Sequence, residues 1–233
     1  MNCRRFLALL AGLPALGLGL AHAQQETPSQ LMRRAVDAFF AANMRESVEL
    51  FDQLLKLEPA LKPELWQRGL ALYLAGDYQA GRDQFEVHQG FNSHDVENAV
   101  WHFLCVARLD GVDKARQALI PIEGDSRVPM REVYELFAGR GSVKAVLEAA
   151  VQGVSGTPTQ RNQLCYAHLY LGLYHEAIGE QAKAREHMLK AAQDYRMEHY
   201  MGRCAEVHVR LRGWDKPSQV EGKAAAKPVE VKP

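Results

Sequence analysis

This chain has no net charge: 28 Lys and Arg stand against 28 Asp and Glu. A balanced surface exerts no pull on a phosphate backbone or an anionic membrane, so nucleic acid is set aside as a partner. Nowhere do apolar and polar residues alternate with period two, and no Val/Ile/Thr-rich run is present, so nothing reads as a strand. GxSxG, HExxH, phosphate-loop, CxxCH and paired-carboxylate signatures are all missing. The chain is therefore read as a non-enzyme with no cofactor and no metal. Cysteine is scarce, four in 233 residues. Cys3 precedes the first apolar run, which leaves Cys105, Cys165 and Cys204. An odd number cannot pair completely. In an oxidising compartment the pair for one bridge is Cys165 with Cys204. The favoured reading makes all three small buried apolar residues.

What the chain does have is apolar material, 47% of residues, with 24% charged. That is enough for one sizeable core. Residues 1–23 read as a secretory signal. Arg4 and Arg5 form the positive start, Phe6 to Leu20 is uncharged, and Ala21-His22-Ala23 is a small-x-small cleavage site. The run is short for a membrane span and contains Pro14 and three glycines, which favours cleavage over anchoring. No cysteine follows it, so there is no lipid-attachment site. Cleavage leaves 26 basic against 28 acidic residues, a mature charge of −2, and a periplasmic or secreted protein. Residues 24–30 read as a linker, 31–213 as the folded domain, and 214–233 as a disordered tail with little to bury.

From Leu31 onward the apolar spacing is close to 3.6, which predicts helices. Breaks at Pro59, Gly76-Asp77, Gly90, Gly111, Gly124 to Pro129, Gly139 to Gly141, Gly153 to Pro158, Gly179 and Gly213 leave segments about one helix long. A fixed period runs through them. Ser47 and Phe51 recur 34 residues later as Gly81 and Phe85, and again as Ala115 and Leu119. Gly69 in ELWQRGLALYLAGDY marks a first helix, and Gly172, Gly179, Ala184 and Ala191 repeat the pattern. Met130 to Gln152 fills the gap between with two weaker helices, and Glu198 to Leu211 reads as a solvating cap.

These residues resemble the tetratricopeptide-repeat (TPR) superfamily. Among TPR proteins the chain looks most like the NlpI-type group of exported bacterial envelope proteins, though it lacks that group's lipid-attachment cysteine. The resemblance implies an all-α superhelix of four to five helical hairpins with a C-terminal capping helix. It also implies an adaptor that brings envelope proteases or cell-wall hydrolases to their targets. First helices would line a concave groove. That puts Met32, Val36 and Phe39 there, then Trp66, Gln67, Leu70 and Tyr73, then Trp101, Leu104 and Arg108, then Tyr166, Leu169, Tyr170 and Leu173. Aromatics around a groove suit an extended or helical peptide with apolar anchors. The Lys/Asn clamp with which some TPR domains hold a C-terminal carboxylate is missing: those places carry Met32 with Val36, Trp66 with Leu70, and Val100 with Leu104.

Three rival readings stand beside the adaptor, the third being an enzyme of unknown class. Asn98, His102 and Cys105 share one helix face and could serve a small ligand or metal. His168 and His175 also lie on one helix, but buried, hydrogen-bonded histidines are the better reading of such spacing. Alternatively, stacked end faces make a homodimer. Glu132 and Glu135, near Arg127 and Arg131, read as a solvated helix face.

Overall fold

The computed structural model describes residues 26–216 apart from Val154. The expected signal at 1–23 lies outside these residues, as does the expected tail at 214–233 apart from its first three residues, of which Trp214 packs on His208 at 5.6 Å. The described chain is all-helical. Its first half comprises α1 (Pro28–Phe40), α2 (Met44–Leu57), a 3-10 turn (Pro59–Glu64), α3 (Trp66–Ala75), α4 (Tyr78–Gln89), α5 (Val96–Asp110) and α6 (Val112–Gln117). Then come α7 (Met130–Phe137), α8 (Val143–Ala150), α9 (Pro158–Ala177), α10 (Gln181–Leu189), a π turn (Lys190–Asp194) and α11 (Tyr200–Arg212). Among the described residues no helix is long and apolar enough to cross a membrane.

Local chemistry sets the boundaries. Thr27 and Gln30 form a reciprocal capping box in front of Pro28, whose missing N–H costs nothing in the first turn. The first helix therefore starts inside the stretch read as linker. Asp77, Asp95, Ser142 and Thr157 each accept a backbone N–H at a helix start. Gly76 ends α3 with φ +88, a conformation that a side chain would strain.

Sequence neighbours pack against each other: α1 on α2, α3 on α4, α4 on α5, α5 on α6, α9 on α10. The small residues sit at these crossings. A Cβ on Gly69 would lie 2.6 Å from the Phe85 ring, and one on Gly172 would lie 3.0 Å from the Met188 methyl. Ser47, Gly81 and Ala115, spaced by 34, are all buried on the second helices of three successive pairs. Ser47 Oγ donates to Ala35 O at 2.8 Å. Phe39, Phe51, Phe85, Phe103 and Phe137 are fully buried, each worth ~2–3 kcal/mol of burial. Cys105, Cys165 and Cys204 are free and buried.

Candidate functional site

The C-terminal helix organises the interior. As a C-terminal cap it packs on α10 and the π turn, burying Met201, Gly202, Cys204, Ala205, Val207, His208 and Val209. Rather than closing only the end of the stack, α11 reaches back to its beginning. Tyr200 packs on Phe39 and Phe40 of α1 at 5.3 and 4.7 Å, and on Trp66 of α3 at 4.8 Å. Arg203 sits 3.5 Å over the Phe40 ring, and Arg210 donates to Phe40 O at 3.1 Å. Toward α9, His199 stacks on Tyr166 at 5.1 Å and hydrogen-bonds Asn162. His199 Nδ1 also accepts the Gly202 N–H and so caps α11.

The C-terminal half of α11 is fixed by one carboxylate. Glu176 on α9 is 3% exposed. Its Oε1 accepts from Arg108 of α5 and from Arg212, both at 2.8 Å, and its Oε2 is 2.6 Å from His208 Nε2. Burial alone would raise this carboxyl, but the bonds from His208 and Arg212 outweigh it and hold it near 2. Burial lowers His208 against the pull of Glu176, whose carboxylate accepts from Nε2. The Tyr73 phenol, beside Arg108, is pushed up by burial.

A second carboxylate lies at the start of α5. Glu97 is one of three acids around a single guanidinium. Arg127 reaches Asp95 at 2.6 Å, Asp125 at 2.5 Å and Glu97 at 3.1 Å. Burial pushes Glu97 up to about 8 against the pull of Arg127, with Asp95 and Asp125 adding to the rise. Asp125 also accepts the Val96 N–H, so the cluster staples the α6–α7 loop to the front of α5. Arg127 lies 6.0 Å over the Tyr166 ring, and the Tyr170 hydroxyl faces Glu97.

The expected groove residues are therefore dispersed by depth. Tyr73, Trp101 and Tyr170 are buried in the core. Trp66, Gln67 and Tyr166 are half-buried, and Arg108 stands at the rim of the Glu176 cluster. Met32 and Val36 line a shallow apolar hollow of about 450 Å³ with Leu54 and Leu61. Asn98, His102 and Cys105 do share a face, but each is spent on α4. Asn98 donates to Phe85 O and Gln89, His102 meets Glu86 at 3.3 Å, and Cys105 fits against Gly81. That face is a helix crossing, and His102 also lines a hollow of about 300 Å³ with Arg82, Glu86, Val106 and Lys114.

His168 and His175 are joined by His187, which the sequence reading did not single out. The Nδ1 atoms of His168 and His187 are 2.8 Å apart, and His175 stacks on His187 at 5.4 Å. Burial, and then the neighbouring imidazole, lowers both His168 and His187 to about 4. Among the described residues no group of three or more His, Cys, Asp or Glu is placed to hold a metal ion. Glu135 pairs with Arg140 at 2.8 Å on an exposed face, whereas Arg127 turns inward. Glu176, His208, Arg212 and Glu97 were missed because no short motif contains them. No protein-family model matches this chain.

Proposed function

We propose that this chain is an exported helical-repeat adaptor of the TPR kind, with a concave face that receives a protein segment. The supporting observation is α11. Side chains of α1, α3 and α9, the first members of their pairs, engage it beside its packing on α10 and the π turn. A face on which first helices from separate pairs seat one helix has the chemistry of helix-in-groove recognition. The buried 34-residue positions Ser47, Gly81 and Ala115 support the repeat register. The apolar run at 6–20 and its small-x-small end support export. An envelope hydrolase or protease is the partner class suggested by the resemblance.

The test uses residues 24–233 as bait in envelope extract, followed by reconstitution with the purified candidate. A defined complex that reforms from two pure proteins supports the adaptor. Failure of every enriched protein to bind in pure form removes it.

A further inference from the structure

Helix α10 is held by few side chains. Three of its residues are buried, Ala184, His187 and Met188. Glu180, at its N-cap, gives the first turn no side-chain bond, and the far end runs on as the π turn, a rare and poorly sustained helix type. One of the three anchors titrates. His187 stands in a column of rings: Tyr195 stacks on His168 at 5.2 Å, His168 lies 5.0 Å from His187, and His187 stacks on His175 at 5.4 Å. The three imidazoles are at most 9% exposed.

The Nδ1 atoms of His168 and His187 are 2.8 Å apart. That contact is a hydrogen bond only while one Nδ1 carries a proton and the other does not. Whichever ring donates, the pair keeps the bond on taking one further proton, at the donor's Nε2. A second proton must sit on the accepting Nδ1. Two N–H groups then face each other, and two imidazolium ions share one buried place. Burial, the adjoining ring and Lys190 disfavour charge on His168. Burial, His175, Lys190 and Lys183 disfavour it on His187, and Glu186 favours it on both. Glu186 is already paired with Lys190 at 2.7 Å, and Glu180 with His175 at 2.6 Å and Lys183 at 3.1 Å. Arg185 turns to the Trp214 and Lys216 carbonyls. Among ions of the other helices packed on α9 and α10, Glu206 pairs with Arg196, Lys144 with Glu148, Glu135 with Arg140, and Arg108, His208 and Arg212 with Glu176. We infer that the α9–α10 crossing is an acid-operated latch, in which the second proton to enter the His168–His187 pair breaks its hydrogen bond and parts α10 from α9 while α1 and α2 stay folded. The latch does not depend on the adaptor reading.

The experiment is hydrogen exchange on the unaltered chain from pH 7 to pH 4, corrected for the intrinsic rate, comparing amides of α10 with those of α1 and α2. An opening that takes up two protons grows by up to about 100-fold per pH unit, and α1 and α2 should show no such slope. His187→Gln leaves one imidazole and should cut the slope to about tenfold per unit. His168→Gln/His187→Gln should flatten it without changing exchange in α1 and α2. An α10 that stays as protected at pH 4 as at pH 7 overturns the latch, and so does an α10 that opens only together with α1 and α2. Imidazole NMR on the unaltered chain decides the matter if the variants do not fold. Proton uptake by His168 and His187 in step with α10 exchange supports the latch, and rings that both charge while α10 stays protected overturn it.

Discussion

Glu97 and Glu176 bear the same burden and answer it differently. Both are withdrawn from water, at 12% and 3% exposure. Glu176 is one carboxylate shared by Arg108, Arg212 and His208, and it is held at about 2. Glu97 is one of three carboxylates sharing Arg127, and it is pushed up to about 8. Burial costs each ion several kcal/mol, and only the number of donors aimed at it decides the sign of the shift. One cluster therefore favours the ion and fixes a long-range contact, while the other favours the proton and staples a nearby loop.

The largest effect expected is from Glu176→Gln. Removing the charge leaves two arginines facing each other at the end of α11, at a cost of about 3 kcal/mol at pH 7. Urea unfolding measures it, and a loss below ~1 kcal/mol would erase the contrast. Arg127→Lys comes next. Arg127 reaches Asp95 and Asp125 through Nη2, Asp125 again through Nε, and Glu97 through Nη1, and a lysine ammonium cannot reproduce that fork. The expected loss is about 2 kcal/mol, moderated because the guanidinium is 40% exposed. Equal stability of the lysine variant would show that charge alone holds the loop.

Glu97→Gln tests the opposite sign. A carboxyl whose folded pKa lies above its unfolded value binds its proton more tightly when folded. Stability is then complete below the ordinary value of 4.5 and is lost as pH rises through about 8. The variant should match the parent at pH 4 and exceed it by about 1 kcal/mol at pH 9. Glu176 works in the other direction. Its contribution is present above 4.5 and disappears as pH falls toward 2. The His168–His187 pair adds a separate acid limb. Rings lowered from 6.5 to about 4 stabilise the neutral fold above 6.5 and release that stability as pH falls through about 4. Thermal melts from pH 3 to 9 resolve the three windows, and a Glu97→Gln profile parallel to the parent's would refute the raised carboxyl.

The helices were legible because their signals are local. Pro59, Asp77 and Gly76 announce boundaries within a few residues, and the small residues at 47, 81 and 115 announce crossings through their spacing. The path of α11 was not. Its contacts join Phe40 to Arg210 and Glu176 to His208 and Arg212, and no periodicity within one segment encodes them. An apolar face with few charges looks the same whether it caps an end or crosses an interior. Residues 98, 102 and 105 illustrate the converse. Their shared face is visible in the sequence, but what they touch on α4 is not, because that surface belongs to another segment.

The smallest effect sharpens the comparison from the donor side. Arg212 reaches Glu176 Oε1 through both Nε and Nη2, and that oxygen is also held by Arg108. Arg212→Lys keeps one charged donor within reach of the same oxygen, while His208 still serves Oε2. The expected loss is about 0.5 kcal/mol, since a partly exposed cation with a surviving partner contributes little beyond its charge. Its double variant with Glu176→Gln should cost no more than Glu176→Gln alone, because the interaction has already been removed. Additive losses in that cycle would mean that Arg212 holds α11 through packing of its stem rather than through the carboxylate, and the three-donor account of Glu176 would shrink to two.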